Sequence, residues 1–272
     1  MNLTICLVAY NKKFTETVSY KQLISFSSVV KKCLNLVVVD NGKKNYTETV
    51  MPSDFLSMKY YFNPNLHERG TRVAYQYVLE TMEDYWLMLL DDDTELTEGY
   101  IQKVLNELGN PEINAFCPLI FDGEVQISPT QSETIKNLNF PQKSGVYIEN
   151  ITGISSGLVL SKKFMLEIKE FSKEFPLDYL DHWIFWQLRN QTKKIKVIDE
   201  KIQHHLSVQH LKELSKERFI TIFTSEYHYY QHYQPEQLYS IRKKYVKMIV
   251  KAWLKGDFFP GKALIKIILE KK

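Results

Sequence analysis

Three adjacent aspartates, Asp91, Asp92 and Asp93, close the apolar run WLMLL. Neighbouring carboxylates repel one another, so a fold keeps them together only where a cation or hydrogen-bond donors compensate. Hard oxygen ligands select magnesium or manganese, and such ions commonly bridge a few carboxylates to substrate phosphates. On a strand, alternate side chains face the same way, so Asp91 and Asp93 are expected to project alike. The competing reading is a solvated acidic turn that caps a helix starting near Thr97.

Asp40 follows the apolar run LNLVVV and precedes Asn41-Gly42. An acid in that place accepts hydrogen bonds from a nucleotide, or closes an Asx turn. A second acidic pair, Asp178 and Asp181, precedes an aromatic segment. Asp181 suits a general base: Trp183 and Phe185 beside it would exclude water and raise its pKa. Otherwise it is a first-turn acid on a helix dipole. Asp178 suits the N-cap of the same helix. His204 is placed to ligate a metal or meet a diphosphate, or simply to pack. His182 is an acceptor-site or packing residue. His228 and His232 lack a third ligand and fall on a helix surface.

The elements that must hold these residues follow from periodicity. Leu3–Ala9, Leu34–Val39, Lys59–Phe62 and Trp86–Leu90 are strand candidates, with helices expected over Val18–Lys32 and Thr71–Thr81. Strands alternating with helices give an α/β fold with a mostly parallel sheet covered on both faces. Ligands bind such sheets at the carboxyl ends of the strands, where Tyr10, Asp40 and Asp91–Asp93 fall. Farther on, helices are expected over Thr97–Leu108 and Lys162–Phe171, and strands over Cys117–Phe121, Leu158–Leu160 and Lys194–Ile198. From Glu213 the chain looks helical.

Composition narrows the setting. Hydrophobic residues make up 44% of the 272, enough for a sizeable core. The cysteines, Cys6, Cys33 and Cys117, form no CxxC pair, which points to a reducing cytoplasm. MNLTICLVAYN has no basic region ahead of its apolar run and reads as a strand, not a signal peptide. The net charge of +3 is uneven: from Arg242 to Lys272 ten basic residues face two acidic ones, a local +8. The first 241 residues carry 25 basic and 30 acidic residues. A basic, amphipathic tail containing Trp253, Phe258, Phe259 and Ile267-Ile268 is expected to meet an anionic membrane surface, or to pack on the body. Nucleic acid is a poor fit, because no aromatic-interleaved basic groove is present. Residues 8–20 hold no glycine, and neither GxGxxG nor Walker A occurs. That weighs against a sugar nucleotidyltransferase; a catalytically silent binding subunit is the rival from another class.

The combination LVAYNK, VVVDNG, GTRVAYQYVLE and LMLLDDDTEL resembles family 2 of the inverting glycosyltransferases. The resemblance runs from Leu3 to about Ser207. It implies a GT-A fold over residues 1–210, with a helical, basic region over 211–272. It places Val8, Tyr10, Asp40 and Arg72 around the nucleotide base, and Asp91 and Asp92 toward the ribose and sugar. Asp93 would take a manganese or magnesium ion, with His204 as a second ligand. Gly153–Gly157 is similar to the turn ahead of the acceptor site, which implicates Ser156 and Gly157. The segment LDYLDHW is similar to the motif that carries the catalytic base: Asp181 as base, with Asp178, His182 and Trp183 on the acceptor side. DYLD and Gln203-His204-His205-Leu206-Ser207 resemble bacterial rhamnosyltransferases in particular. The implied donor is dTDP-rhamnose or a UDP-hexose, and the acceptor a growing surface glycan, free or lipid-linked. The expected place is the cytoplasm, peripheral to the inner face of the membrane; a homo-oligomer is compatible.

Overall fold

In a computed structural model, residues 1–46, 54–65, 67–133, 140–204 and 214–270 are described. The first half alternates strand and helix: β1 (Leu3–Ala9), α1 (Val18–Ser25), α2 (Ser28–Lys31), β2 (Leu34–Asp40), β3 (Ser57–Phe62), α3 (Thr71–Thr81) and β4 (Trp86–Asp91). There follow β5 (Thr94–Glu95), α4 (Glu98–Glu107), β6 (Ile113–Asp122), β7 (Val125–Ser128), β8 (Gly145–Tyr147), β9 (Val159–Ser161), α5 (Lys162–Ile168), α6 (Leu180–Asn190) and β10 (Lys194–His204). Three helices close the chain: α7 (Lys216–His232), α8 (Leu238–Leu254) and α9 (Phe258–Leu269).

The strands form one sheet in the order β3-β2-β1-β4-β9-β6-β10-β5, with β7 on β6 and β8 on β10. The long ladders, β1 with β2 and β4, β2 with β3, and β6 with β10, are parallel. The short β9 runs antiparallel between β4 and β6. This is the mixed, mostly parallel α/β sheet of a GT-A fold. Every residue of β1 is buried, as expected for a strand covered on both faces. Its side chains alternate between two apolar layers. Leu3, Ile5 and Leu7 pack with Leu23, Val30, Tyr100 and Ile101 of α1, α2 and α4. Cys6 and Val8 face the other layer, built on α3, α5, α6 and the C-terminal helices.

Four expectations change. The helix expected over Val18–Lys32 is two helices. Phe26 turns extended, and Ser27 caps α2 by accepting from the Val30 N–H. Glu98 fixes that break by accepting from the Ser27 N–H at 2.9 Å. α5 stops at Ile168, where Lys169 takes φ 65°. β6 and β10 run longer than their apolar cores, and β5, β7 and β8 are too short for periodicity to show.

The C-terminal helices share the core of α6. Phe219, Phe223, Tyr227 and Tyr230 of α7, Ile241, Tyr245 and Ile249 of α8, and Leu264 and Ile267 of α9 join one apolar cluster with Leu180, Ile184 and Leu188. The Tyr245 hydroxyl donates to the Phe223 carbonyl at 2.9 Å, locking α8 onto α7. The expected boundary near residue 210 lies outside the described residues, as do His205, Leu206 and Ser207. Among the described residues no helix is long and apolar enough to cross a membrane.

Candidate functional site

The site is built on the carboxyl end of β1. Ala9 pairs with Asp40 on one side, and Val8 with Asp91 on the other. Asp40 is 0% exposed and both of its oxygens are engaged. One accepts from the Gly42 N–H at 2.7 Å and the other from the Tyr60 hydroxyl at 2.7 Å. It thus forms the Asx turn that was the alternative reading, and shapes the strand end from below. Gly42 is required there: a Cβ would lie 2.8 Å from the Asp40 carboxylate and 2.9 Å from the Asn11 nitrogen. Tyr10 is exposed beside this turn, and Val8 is buried beneath it.

The three aspartates separate. Asp92 pairs with Lys12 at 3.1 Å. Burial pushes its carboxyl up, while Lys12 opposes the rise. Asp91 faces a cleft and meets the Tyr75 hydroxyl at 3.4 Å. Its carboxyl is pushed up to about 7, chiefly by burial and then by the charges of Asp93, Asp92 and Asp181. Asp93 lies 3.4 Å from Nδ1 of His204. Among the described residues its Oδ1 is buried without a hydrogen-bond partner.

A polar relay fixes this strand end. The Asp91 N–H donates to the Ser156 hydroxyl at 3.0 Å, which meets the Thr94 hydroxyl at 2.6 Å. The Thr94 hydroxyl in turn meets Nδ1 of His204 at 2.9 Å. Ser19 joins the same loop: its hydroxyl donates to the Asp91 carbonyl at 2.5 Å and accepts from the Thr94 N–H at 3.0 Å. Ser156 is thus fully buried and structural in its contacts. Gly157 takes φ 81° against Pro118, a left-handed turn suited to glycine.

The cleft has a volume of about 250 Å³, and Asp91, Asp178, Asp181, His182 and His204 line it together. Residues far apart in sequence therefore share one wall. Tyr179 makes the turn into α6 with φ 66° and is the N-cap, so Asp178 is not. Asp178 instead accepts a two-pronged hydrogen bond from Arg218 of α7, with Nη2 at 2.7 Å from Oδ1. Its carboxyl is pushed up by burial, against the pull of Arg218. His182 stacks on Tyr179 at 4.6 Å between ring centroids, and burial holds its imidazole below its ordinary value.

Two expected site residues turn away. Arg72 is buried, with Nε donating to the Phe171 carbonyl at 3.2 Å and the guanidinium end near Glu170. Trp183, with Phe185 beside it, is buried in the core and does not line the cleft, where Asp181 is joined by Asp91, Asp178 and His182 and by the apolar Ile154, Leu177 and Ile222. Helical geometry explains this: Trp183, Ile184 and Leu188 form the inward stripe of α6.

Sequence reasoning missed Lys12, Tyr75, Arg69 and Arg218. Lys12 and Tyr75 sit inside motifs quoted for their neighbours. Arg69 donates to the Asn41 carbonyl at 3.0 Å beside the Asp40 turn. Its Nε and Nη2 are buried without a hydrogen-bond partner among the described residues. Arg218 stands in a segment that looks, in sequence, like part of a basic tail.

With this geometry in place, known proteins supply the family. The model of glycosyl transferase family 2 matches residues 4–168. The chain belongs to that family. No curated protein sequence matches it. Among solved structures, S. aureus TarS 1-349 in complex with UDP-GlcNAc is similar at TM-score 0.60 and 10% identity, covering 98% of this chain and 82% of that one. The same protein in complex with UDP gives TM-score 0.58 at 13% identity, covering 83% and 65%. GalNAc-T7 with UDP, GalNAc and Mn2+ gives 0.58 at 10%, covering 86% and 49%. Against the longer S. aureus TarS structure this chain spans 39% of that protein's length. At such identities the likeness is one of fold.

The family 2 match ends at residue 168, before Asp178, Asp181, His204 and Arg218. The segment that carries Asp178 and Asp181 makes a close contact with the matched part. The Arg72 N–H donates to the Pro176 carbonyl at 3.3 Å. A Cβ on Gly70 would lie 2.0 Å from that same carbonyl oxygen. Gly70→Ala is therefore expected to push the 176–181 segment off α3 and cut turnover sharply while the fold persists. Steady-state kinetics with circular dichroism check this; unchanged turnover in the folded variant would show that the contact does not position Asp181.

Proposed function

We propose that this family 2 enzyme transfers a hexose or deoxyhexose, with inversion, from a nucleoside diphosphate sugar to a growing surface glycan. One observation carries the reading: Asp181 and Asp91 line the same cleft with His204, at the carboxyl end of the sheet. An inverting transfer needs a single base opposite the departing diphosphate. In this reading the acceptor hydroxyl attacks the anomeric carbon, Asp181 takes its proton, and the nucleoside diphosphate leaves. Asp91 holds the sugar or ribose, and Arg69 offers its unpartnered donors to the nucleotide. Tyr10 and the Asp40 turn flank the base.

The donor set suits a hard divalent ion. Asp93 presents a buried oxygen that makes no hydrogen bond among the described residues and lies 3.4 Å from Nδ1 of His204, a carboxylate and imidazole pair compatible with manganese or magnesium. Among the described residues no three such ligands converge, so substrate oxygens would complete the shell. A bound ion would offset the charge that develops on the diphosphate.

The rhamnosyltransferase-like motifs favour dTDP-rhamnose. The TarS and GalNAc-T7 structures carry UDP, UDP-GlcNAc or GalNAc, which supports the alternative of a UDP-hexose or UDP-N-acetylglucosamine. Hydrolysis and transfer across a panel of these donors, with manganese, selects among them; no turnover of any, with nucleotide still bound, would favour a silent binding subunit.

Asp93→Ala should abolish the metal-dependent part of nucleoside diphosphate binding in calorimetry. Undiminished metal-dependent affinity in the folded variant would remove Asp93 from that role. Arg69→Ala should weaken UDP or dTDP binding about tenfold or more, as loss of a charge-assisted hydrogen bond does, with and without metal. Equal affinity would leave Arg69 a loop-bracing residue only. Asp181→Asn should preserve donor affinity and lower turnover by roughly 10²–10⁴-fold, the range for a lost general base. A collapse of donor binding, or equal loss from Asp178→Asn alone, would assign the base elsewhere.

A further inference from the structure

The outward face of α8 carries an apolar stripe that stays exposed among the described residues. Val246 is 54% exposed, Val250 51%, Leu254 84% and Tyr239 77%. Spaced three or four residues apart with Lys243 between them, they fall on one side of the helix. The opposite side, Ile241, Tyr245 and Ile249, is buried against α7 and α9. Lys243, Lys247, Lys251 and Lys255 run along one edge of the stripe, and Arg242 lies on the other. Val246, Val250 and Leu254 form a shallow groove with Lys247, Lys251 and Lys255, of about 400 Å³. The whole of α8 contains no acidic residue. Its one inward lysine, Lys244, is held by Glu226 at 2.8 Å.

We propose that this face docks on an anionic lipid surface, with Val246, Val250 and Leu254 entering the headgroup boundary and the lysine row lying on the lipid phosphates. Three features select that occupant. An apolar stripe edged by lysines matches a surface that is apolar within and negative at its boundary. A second copy packed on the same stripe would bring together faces whose only charges are positive, which disfavours a dimer here. Among the described residues no helix is long and apolar enough to cross a bilayer, which fits a peripheral contact.

The structure also changes which residues make the contact. Ile267 is 6% exposed and belongs to the core, and Trp253 leans over Gly261, where a Cβ would lie 2.1 Å from its indole nitrogen. The insertion expected from the sequence at Trp253 and Ile267-Ile268 therefore moves to the Val246, Val250 and Leu254 face of α8. The surface is independent of which sugar is transferred.

Co-sedimentation of the full chain with phosphatidylcholine vesicles, with and without phosphatidylglycerol, tests this. The protein should pellet with the anionic vesicles at low salt, be released at high salt, and ignore the neutral ones. The variant Lys247→Glu/Lys251→Glu/Lys255→Glu, and separately Val250→Asp, should lower the partition coefficient about tenfold or more. Lys21→Glu/Lys32→Glu/Lys59→Glu makes the same change in net charge away from α8 and should retain binding. Thermal melts establish that each variant is folded, and Leu254→Asp replaces any that is not. Absence of binding to anionic vesicles, equal loss in the Lys21/Lys32/Lys59 control, or a dimer that Val250→Asp dissociates without changing vesicle binding would each overturn the proposal.

Discussion

The crowding of negative charge at the end of β4 is the constraint to which the rest of the molecule answers. Asp91, Asp92 and Asp93 are consecutive, and Asp181 adds a fourth charge felt by Asp91. Partly desolvated carboxylates at such separations cannot all stay ionised without compensation. Each is therefore treated separately. Asp92 is turned out to Lys12, Asp91 is left at the foot of the cleft with its carboxyl raised, and Asp93 is turned to His204. The backbone that carries them is then tied from three directions by Ser19, Ser156 and Thr94. A strand end under mutual repulsion stays in place because its amide and carbonyl groups supply attachment beyond the Asp92–Lys12 pair.

The same logic extends to the C-terminal helices. Tyr179, at φ 66°, stores local strain that needs outside support. Its hydroxyl donates to Glu226 of α7 at 2.6 Å, and Glu226 is held by Lys244 of α8. Arg218, in the first turn of α7, fixes Asp178. A buried charge pair of this kind contributes little net stability but penalises any arrangement that leaves one partner alone. The turn that presents Asp181 is thus specified by two helices that follow the sheet in sequence. α7 is a wall of the site, through Arg218 and Ile222, and α8 braces it through Lys244.

What the sequence made legible follows from range. Short, strongly apolar strands and the motif residues at their ends could be placed because period and turn chemistry are local: β1, β2, β4 and α3 fall where expected. Asp40 was legible as a strand-end acid. Its occupation by Tyr60, twenty residues on, was not. Arg72 was assigned by resemblance, yet its side-chain direction depends on Phe171, which only the tertiary fold brings near. Trp183 follows Asp181 by two residues, and the helix turns it away to the core; Phe185, four residues on, stays on the same side but is buried against Gly153. Arg218 carries no local mark, since a basic residue in a basic, helical stretch is indistinguishable from a solvated one until Asp178 is seen beside it.

The division of labour within the cleft has a consequence for how such a site can vary. The part matched to glycosyl transferase family 2 holds the strand-end carboxylates in a sheet buried on both faces, where a shift of one residue would invert every side chain. That half is constrained by the core itself. The other half, Asp178 to His182, hangs on side-chain contacts among α6, α7 and α8, which repack more readily than a sheet. In the proposed reaction the rigid half meets the nucleotide and the metal, which are common to many transfers, and the helical half meets the acceptor, which is not. Acceptor choice can thus change through residues such as Arg218 and Glu226 while the strand-end chemistry stays fixed.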